Sequence, residues 1–326
     1  MTNKTTIAVF IDWFLPGYKA GGPITSLANM IGFLKNDFNF LIITSNTDYL
    51  EREPYPNIDS DKWINFDTNI KVYYFSKENL TRKNVEKIIK NTNFDIAYIN
   101  GIYSYYFSIL PLFFLKKTDK KTVVATRGML SEQAFSSKSF KKKIFLYFAK
   151  FIGFYRNITF HATNIDEAKN IKQIISKNSI IKLASNLPEK RDFKLIKRTK
   201  NNILLKLVSI ARISPEKNTK FALEQLQNIN NCQIIFDLYG SIYDENYWKE
   251  CLKIIEQLPK NISINYKGTI KKSFVNQTFS KYHFSFMPSK GENFGHSILE
   301  SFMSGTPVIT SSNTPWKELE QMNVGW

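Results

Sequence analysis

Short runs of β-branched and aromatic residues alternate along this chain with longer stretches whose apolar positions recur at helical spacing. Strands are expected at TTIAVFI, FNFLIIT, IKVYYF, FDIAYIN, KTVVAT, NITFHA and SIIKLA, each short and bounded by polar or turn residues. Between them, 79–91 and 131–153 carry the helical period. Such alternation requires a mainly parallel sheet with helices on both faces. The segment LPEKRDFKLIKRTKNN is polar, charged and broken by proline, and reads as a linker. The pattern then restarts with LLKLVSI, CQIIFDLYG, NISINYKG, HFSFMP and TPVITS. Helices are expected after SPEKN, at 245–257, near 271–281 and from about 294. The expected architecture is α/β with two doubly wound domains, 1–187 and 201–326, joined by a linker at 188–200. A further strand and helix are expected where the chain stops at QMNVGW, so the second domain reads as truncated.

A length of 326 residues with 43% hydrophobic content suits two globular domains. No apolar run approaches the roughly 18–20 residues of a membrane-spanning helix. The N-terminus reads as a first strand rather than a signal peptide, which gives a cytoplasmic expectation. Cys232 and Cys251 offer neither a disulfide framework nor metal-ligand spacing.

Charge changes the picture. The formal net charge is +17, and residues 116–156 alone hold eleven Lys/Arg against Asp119 and Glu132. That concentration implies an acidic partner, either nucleic acid or an anionic membrane surface. Inside it lies KSFKKKIFLYFAKFIGFYR, 138–156. On a helix Phe140, Ile144, Tyr147, Phe148 and Phe151 share one side, with lysines beside them. Two readings stay open there: an amphipathic helix on an anionic bilayer, or a core-facing helix with solvated lysines.

In open α/β sheets ligands bind beyond the carboxyl ends of strands, and several candidate groups follow strands here. In AGGPITS, Gly21 and Gly22 let backbone approach a ligand at a helix start, although the motif also reads as a tight turn. In SIARISPEKN, Arg212 and Lys217 bracket a turn and could neutralise a diphosphate without a metal; a solvated loop is the alternative. In GENFGHSILE, Glu292 precedes a helix and Glu300 lies about two turns further on. The N–H groups of Asn293, Phe294 and Gly295 are expected at the helix start, where a phosphate binds. Carboxylates suit vicinal hydroxyls, yet both could simply offset a helix dipole and face water. His161 ends a strand and could reach a ligand or simply pack. Asp59-Ser60-Asp61 sits in a Pro-rich loop, a poor context for a metal.

The stretch GENFGHSILESFMSGTPVIT resembles the signature of retaining glycosyltransferases of family 4, whose Glu-x7-Glu pattern is matched by Glu292 and Glu300. The resemblance extends to AGGP, ATRGML, HATNIDEA, ARISPEKN and NTPWKELEQMNVGW, in order from residue 20 to residue 326. It implies the GT-B fold, in which two Rossmann-like domains face a cleft. It also implies roles for residues. Arg212 and Lys217 would hold a donor diphosphate, Glu300 the ribose, and Glu292 the transferred sugar. Asn293, Phe294, Gly295 and His296 would line the donor, with Gly21 and Gly22 approaching its phosphate. Many relatives carry a histidine where this chain has Thr126-Arg127-Gly128. That departure resembles a subgroup with an Arg-Gly-Met motif and makes Arg127 the catalytic candidate at the position. Retaining transfer of this kind is implied to proceed by front-side attack, without protein nucleophile, metal or other cofactor.

The implied partners are a nucleotide-sugar donor and a glycan or lipid-linked acceptor, in bacterial surface polysaccharide synthesis at the inner face of the plasma membrane. Competing readings are a GT-B nucleotide-sugar epimerase, a non-catalytic scaffold, and a basic protein that binds nucleic acid or membrane. No nucleic-acid motif is present, so no nucleic-acid partner is expected.

Overall fold

In the computed structural model, which describes residues 4–131, 139–190 and 204–326, the period-two pattern of the first strand sorts the core onto two faces. Strand β1, Thr6–Phe10, sends Ala8 and Phe10 into one apolar cluster and Val9 into the other, where Ile11 follows. Its partners are β2 (Asn39–Ser45) and β5 (Ile96–Asn100), both parallel, so Val9 lies between Ile42 and Tyr98. The sheet continues through β4 (Ile70–Phe75) on one side. On the other lie β6 (Lys121–Ala125), β7 (Thr159–Ala162) and β8 (Ile180–Leu183). With the edge strand β3 (Trp63–Asp67), the order is β3-β4-β2-β1-β5-β6-β7-β8.

Helix α1 (Gly22–Leu34) lays Leu27 and Ile31 on the face that holds Val9. The opposite face receives α2 (Arg82–Asn91), α3 (Leu110–Leu115), α4 (Ser139–Phe151) and α5 (Ile165–Ile174) through Val85, Leu112, Leu146 and Ile171. The chain divides into two compact units, Met1–Lys190 and Arg191–Trp326. The second repeats the plan in five parallel strands: β9 (Leu204–Ile210), β10 (Gln233–Tyr239), β11 (Ile262–Tyr266), β12 (Phe284–Met287) and β13 (Val308–Thr310). Their order is β11-β10-β9-β12-β13. Helices α6 (Thr219–Leu226) and α7 (Glu245–Ile255) bury Leu223 and Cys251 on one face. Helices α8 (Lys272–Phe279) and α9 (His296–Met303) bury Phe279 and Ile298 on the other. Both units are therefore doubly wound α/β, as the pattern requires.

Several details differ from the sequence expectation. The segment WINFD forms β3, antiparallel to β4 with a bulge between Asn65 and Asp67. As an edge strand it bonds on one side only, and its alternation Ile64-Asn65-Phe66-Asp67 is short, with Phe66 exposed. Helices α3 and α5 were not marked by a helical period. The first is apolar all round and buried except at Phe113, and such a helix has no polar face to reveal it. Helix α9 starts at His296 rather than at about 294. Most of the linker expected at 188–200, and residues 132–138 of the helical stretch 131–153, lie outside the described residues.

Helix α4 settles one open alternative. Leu146 and Ala149 pack against the sheet, while Phe140, Ile144, Tyr147, Phe148 and Phe151 are 53–80% exposed. The core-facing reading of those five side chains is thereby corrected. No helix among the described residues is long and apolar enough to cross a membrane.

Candidate functional site

The strand order of the second sheet reverses at β9 and β12, and the loops that follow these strands are laced together. The β9 loop carries Arg212 and Lys217; the β12 loop carries Ser289, Lys290 and Glu292. Lys217 Nζ pairs with Glu292 Oε1, which also accepts from Ser289 Oγ at 2.8 Å. Lys290 N donates to Glu216 O at 2.8 Å, and Asn218 Nδ2 to Pro288 O at 3.2 Å. Asn218 holds the left-handed conformation at the start of α6 with φ 60°, which asparagine tolerates better than most residues. Arg212 lies 5.2 Å from the Tyr243 ring centroid and forms no ion pair with a described residue. Two cations and one carboxylate thus stand on the loops where doubly wound sheets bind ligands.

The approach to α9 is equally constrained. Gly295 precedes the helix with φ 80°, and a Cβ there would meet Ile298 Cδ1 and Trp316 Nε1 at 3.1 Å. Trp316 Nε1 donates to Phe294 O at 2.5 Å, and the Phe294 ring lies 4.8 Å from His296 and 5.6 Å from Trp316. Because α9 begins at His296, Asn293 and Phe294 belong to the loop. The helix start therefore lies further along the chain than their N–H groups. Glu292 is a loop residue, so it shares no helix face with Glu300, which lies on α9 with Lys272 Nζ 3.6 Å from its Oε1.

Gly21, Gly22 and Arg127 belong to the first unit. Gly21 takes φ 69° just before α1, with Pro23 in its first turn, which fits glycine there. Arg127 follows β6 at φ 52°, an unusual conformation for a bulky residue and one that concentrates at functional sites. Its guanidinium donates to Asn100 Oδ1 at 2.7 Å, Asn186 Oδ1 at 2.8 Å and Tyr98 OH at 2.9 Å. All three acceptors are neutral, and no described carboxylate forms an ion pair with it. The backbone beside it is fixed by Glu167, a buried residue in the first turn of α5. Thr126 Oγ1 and Gly128 N donate to Glu167 Oε1 at 2.5 and 2.7 Å; Thr163 N and Oγ1 donate to Oε2 at 2.7 Å. Burial pushes the Glu167 pKa up, but these donors outweigh it and hold the carboxyl below its usual range.

Asp12 is the residue the sequence reading missed. It follows β1, the strand at which the first sheet reverses its order, and Ser104 Oγ, just after β5, donates to its Oδ1 at 2.6 Å. Burial dominates over that hydrogen bond and pushes its carboxyl pKa up. A carboxylate directly after a buried strand, in FIDWF, was the available signal. His161 is a packing residue: Nδ1 meets Tyr98 OH at 2.7 Å and Nε2 meets Ala184 O at 2.8 Å. Asp61 accepts from Ser76 N and Asn79 Nδ2, while Asp59 pairs with Lys62. No cluster of three His, Cys, Asp or Glu suited to a metal occurs among the described residues.

Comparison with known proteins bears on this arrangement. Residues 188–326 match the family model described as Glycosyl transferases group 1, so the second unit carries a domain of that type. An uncharacterized 41.2 kDa protein in the cps region of Klebsiella pneumoniae is 22% identical over 235 residues, 69% of this chain and 62% of that protein. The match thus spans less than two thirds of the relative's length. Among solved structures, Anabaena Alr3699/HepE in complex with UDP and glucose superposes with a TM-score of 0.68 at 16% identity, over 95% of this chain and 81% of that one. WaaG, a glycosyltransferase involved in lipopolysaccharide biosynthesis, gives 0.61 at 10% identity, over 98% and 85%. At these identities the likeness concerns the fold, which is of the GT-B type.

Glu167, buried, and Asp12, half-buried, predict opposite responses to amidation. Glu167→Gln puts an NH₂ among donors and is expected to lose about 2–4 kcal/mol in denaturant titration. A loss under about 1 kcal/mol would refute the hub. Its wild-type contribution is present above the unfolded pKa and disappears as pH falls through the lower folded value. Asp12→Asn should instead raise Tm at neutral pH, because the native state disfavours the ionised carboxyl. The gain should shrink toward pH ~4, near the unfolded pKa. A lower Tm at neutral pH, or a gain independent of pH, would contradict this.

Proposed function

We propose that the chain is a glycosyltransferase that moves a sugar from a nucleotide-sugar to a glycan or lipid-linked acceptor, with retention of configuration. The supporting observation is the Lys217–Glu292 pair, with Arg212 on the same β9 loop, at the strand-order reversal of a glycosyltransferase group 1 domain. In this reading Arg212 and Lys217 hold the diphosphate and offset the charge that develops as the nucleoside diphosphate departs. Glu292, kept in place by Lys217 and Ser289, takes hydroxyls of the transferred sugar. Glu300 takes the ribose, and Phe294 to His296 close on the donor. Arg127 and Asp12, after β6 and β1, serve the acceptor side, one with a fixed positive charge and one with a carboxylate able to accept from a hydroxyl. No metal or other cofactor is needed, since the cations do the neutralising. The bound UDP and glucose of the Anabaena structure favour a nucleotide-sugar donor. The cps-region relative favours a surface polysaccharide as product.

The donor reading is tested by thermal shift with UDP, GDP, ADP, CMP and their sugars, in EDTA. A ligand at a hundred times its Kd adds about 2.7 kcal/mol. One base is expected to raise Tm in the wild type and to lose that effect in Glu300→Ala. Absence of any nucleotide shift would sink the donor site. Recovery of an epimerised sugar nucleotide without transfer would replace the activity by epimerisation.

The exposed stripe of α4 supports a second element of the reading, peripheral contact with an anionic membrane. Large apolar side chains in a contiguous exposed row mark an interaction surface, and the lysines around them suit anionic lipid. Lys141→Glu with Lys143→Glu is expected to weaken sedimentation with vesicles containing phosphatidylglycerol. Undiminished sedimentation would remove the stripe from the membrane contact.

A further inference from the structure

The basic stretch 116–156 is spread along the chain, yet the fold brings its two ends around one cavity. The cavity, about 540 Å³, is lined by Lys116 and Lys120 from the turn before β6 and by Lys150 and Arg156 from the end of α4 and the turn after it. Asn157 and Ile158, just before β7, also line it. It therefore opens at the amino-terminal edge of the sheet, the opposite end from Asp12 and Arg127. No carboxylate lines it; Asp119, in the same turn as Lys116 and Lys120, does not reach it. A neighbouring cavity of about 480 Å³ differs in this respect, since Glu86 lines it and pairs with Lys90.

Among the described residues none of Lys116, Lys120, Lys150 and Arg156 forms an ion pair. Lys116 Nζ is anchored on Gly153 O at 2.6 Å, and burial together with the Arg156 charge pushes its pKa down. Like charges gathered without a counter-charge repel, and an anion seated among them would remove that cost. The exposed stripe of α4 runs into this site. Phe151 and Ile152, 80% and 50% exposed, are part of the lining. The end of the aromatic stripe and the four cations thus line one cavity.

We infer that this cavity is a binding site for the phosphate headgroup of an anionic phospholipid, occupied as the stripe of α4 enters the bilayer surface. The inference rests on the peripheral-membrane part of the proposed function and is independent of the donor site. Continuity of the cations with an exposed aromatic row favours lipid over a soluble phosphate, which would need no apolar surround. The site converts general attraction into a defined orientation: the amino-terminal edge of the first sheet is held against the membrane.

Vesicle co-sedimentation tests this on the full chain, with phosphatidylcholine alone and mixed with phosphatidylglycerol. Four proteins are compared: wild type, Lys150→Gln/Arg156→Gln, the charge-matched control Lys249→Gln/Lys253→Gln on α7, and the stripe variant Phe140→Ser/Tyr147→Ser. Neither Lys150 nor Arg156 donates a side-chain hydrogen bond to a described residue, so the cavity variant should melt like the wild type. The wild type is expected to sediment only with the mixed vesicles. The cavity variant should partition about thirtyfold more weakly, from two lost contacts near an anionic surface; the control should lose far less. Equal losses in cavity variant and control mean diffuse attraction and overturn the site. Loss in the stripe variant but not in the cavity variant keeps the membrane contact and overturns the headgroup site. Failure of the wild type to sediment, with inorganic phosphate raising its Tm only while Lys150 and Arg156 are present, makes the cavity a soluble-anion site and overturns the lipid assignment.

Discussion

The helices that follow β9 and β12 leave on opposite faces of the sheet, so the loops that begin them must part at the carboxyl end of these neighbouring strands. Leu223 of α6 packs with Leu207 on one face, and Ile298 of α9 packs with Val208 on the other. This divergence creates the crevice, and the chemistry of the site follows from how it is bridged. Lys217 and Glu292 span it as an ion pair, the backbone of Lys290 reaches Glu216, and Asn218 reaches Pro288. A site placed between rigid strands inherits their precision, which loops alone would not supply. The first unit obeys the same constraint around β1 and β5, where Asp12 and Ser104 meet. Packing on two faces thus decides where each unit can present polar groups.

Glu167 and Asp12 in the first unit show how the surroundings decide the role of one chemical group. Glu167 accepts from Thr126, Gly128 and from both the N–H and hydroxyl of Thr163. Its charge is fully used in holding the strained turn at Arg127. Asp12 is half-buried and has the hydroxyl of Ser104 as its side-chain donor, and its pKa moves the other way. With fewer donors around it, Asp12 is the more available of the two to a ligand hydroxyl. The contrast separates a structural acid from a functional candidate by counting donors.

Much of the architecture was legible because it rests on local pattern. The parallel strands are short apolar runs, and LLKLVSI and IKVYYF became strands with the bounds their composition suggests. What stayed hidden depended on tertiary context. WINFD pairs as an edge strand whose apolar alternation is too short to stand out. The apolar helix at Leu110–Leu115 has no polar face. Arg212, Lys217 and Glu292 were readable as candidates because each follows a strand. Their lacing was not, because it joins residues 75 positions apart. The later start of α9 turns on Gly295, whose left-handed conformation separates the loop from the helix. Asp12 was passed over because a lone acid after a strand has no spacing to identify it.

The distribution of positive charge gives the last step. In the second unit the candidate cations are tied to specific partners: Lys217 to Glu292, Lys272 near Glu300, and Arg212 over Tyr243. Around the cavity of the first unit Lys116, Lys120, Lys150 and Arg156 have no such counter-charge. Held partners fix side chains in position, as recognition of one ligand requires. Cations without a counter-charge around an open cavity instead leave a field, which draws any polyanion surface from a distance and fades within a Debye length of about 8–10 Å. A net charge of +17 is thus divided by the fold into two kinds of use. One set is immobilised at the carboxyl edge of the second sheet, for chemistry. The other is left uncompensated at the amino-terminal edge of the first, beside the one contiguous row of exposed aromatics on α4, for contact with a surface.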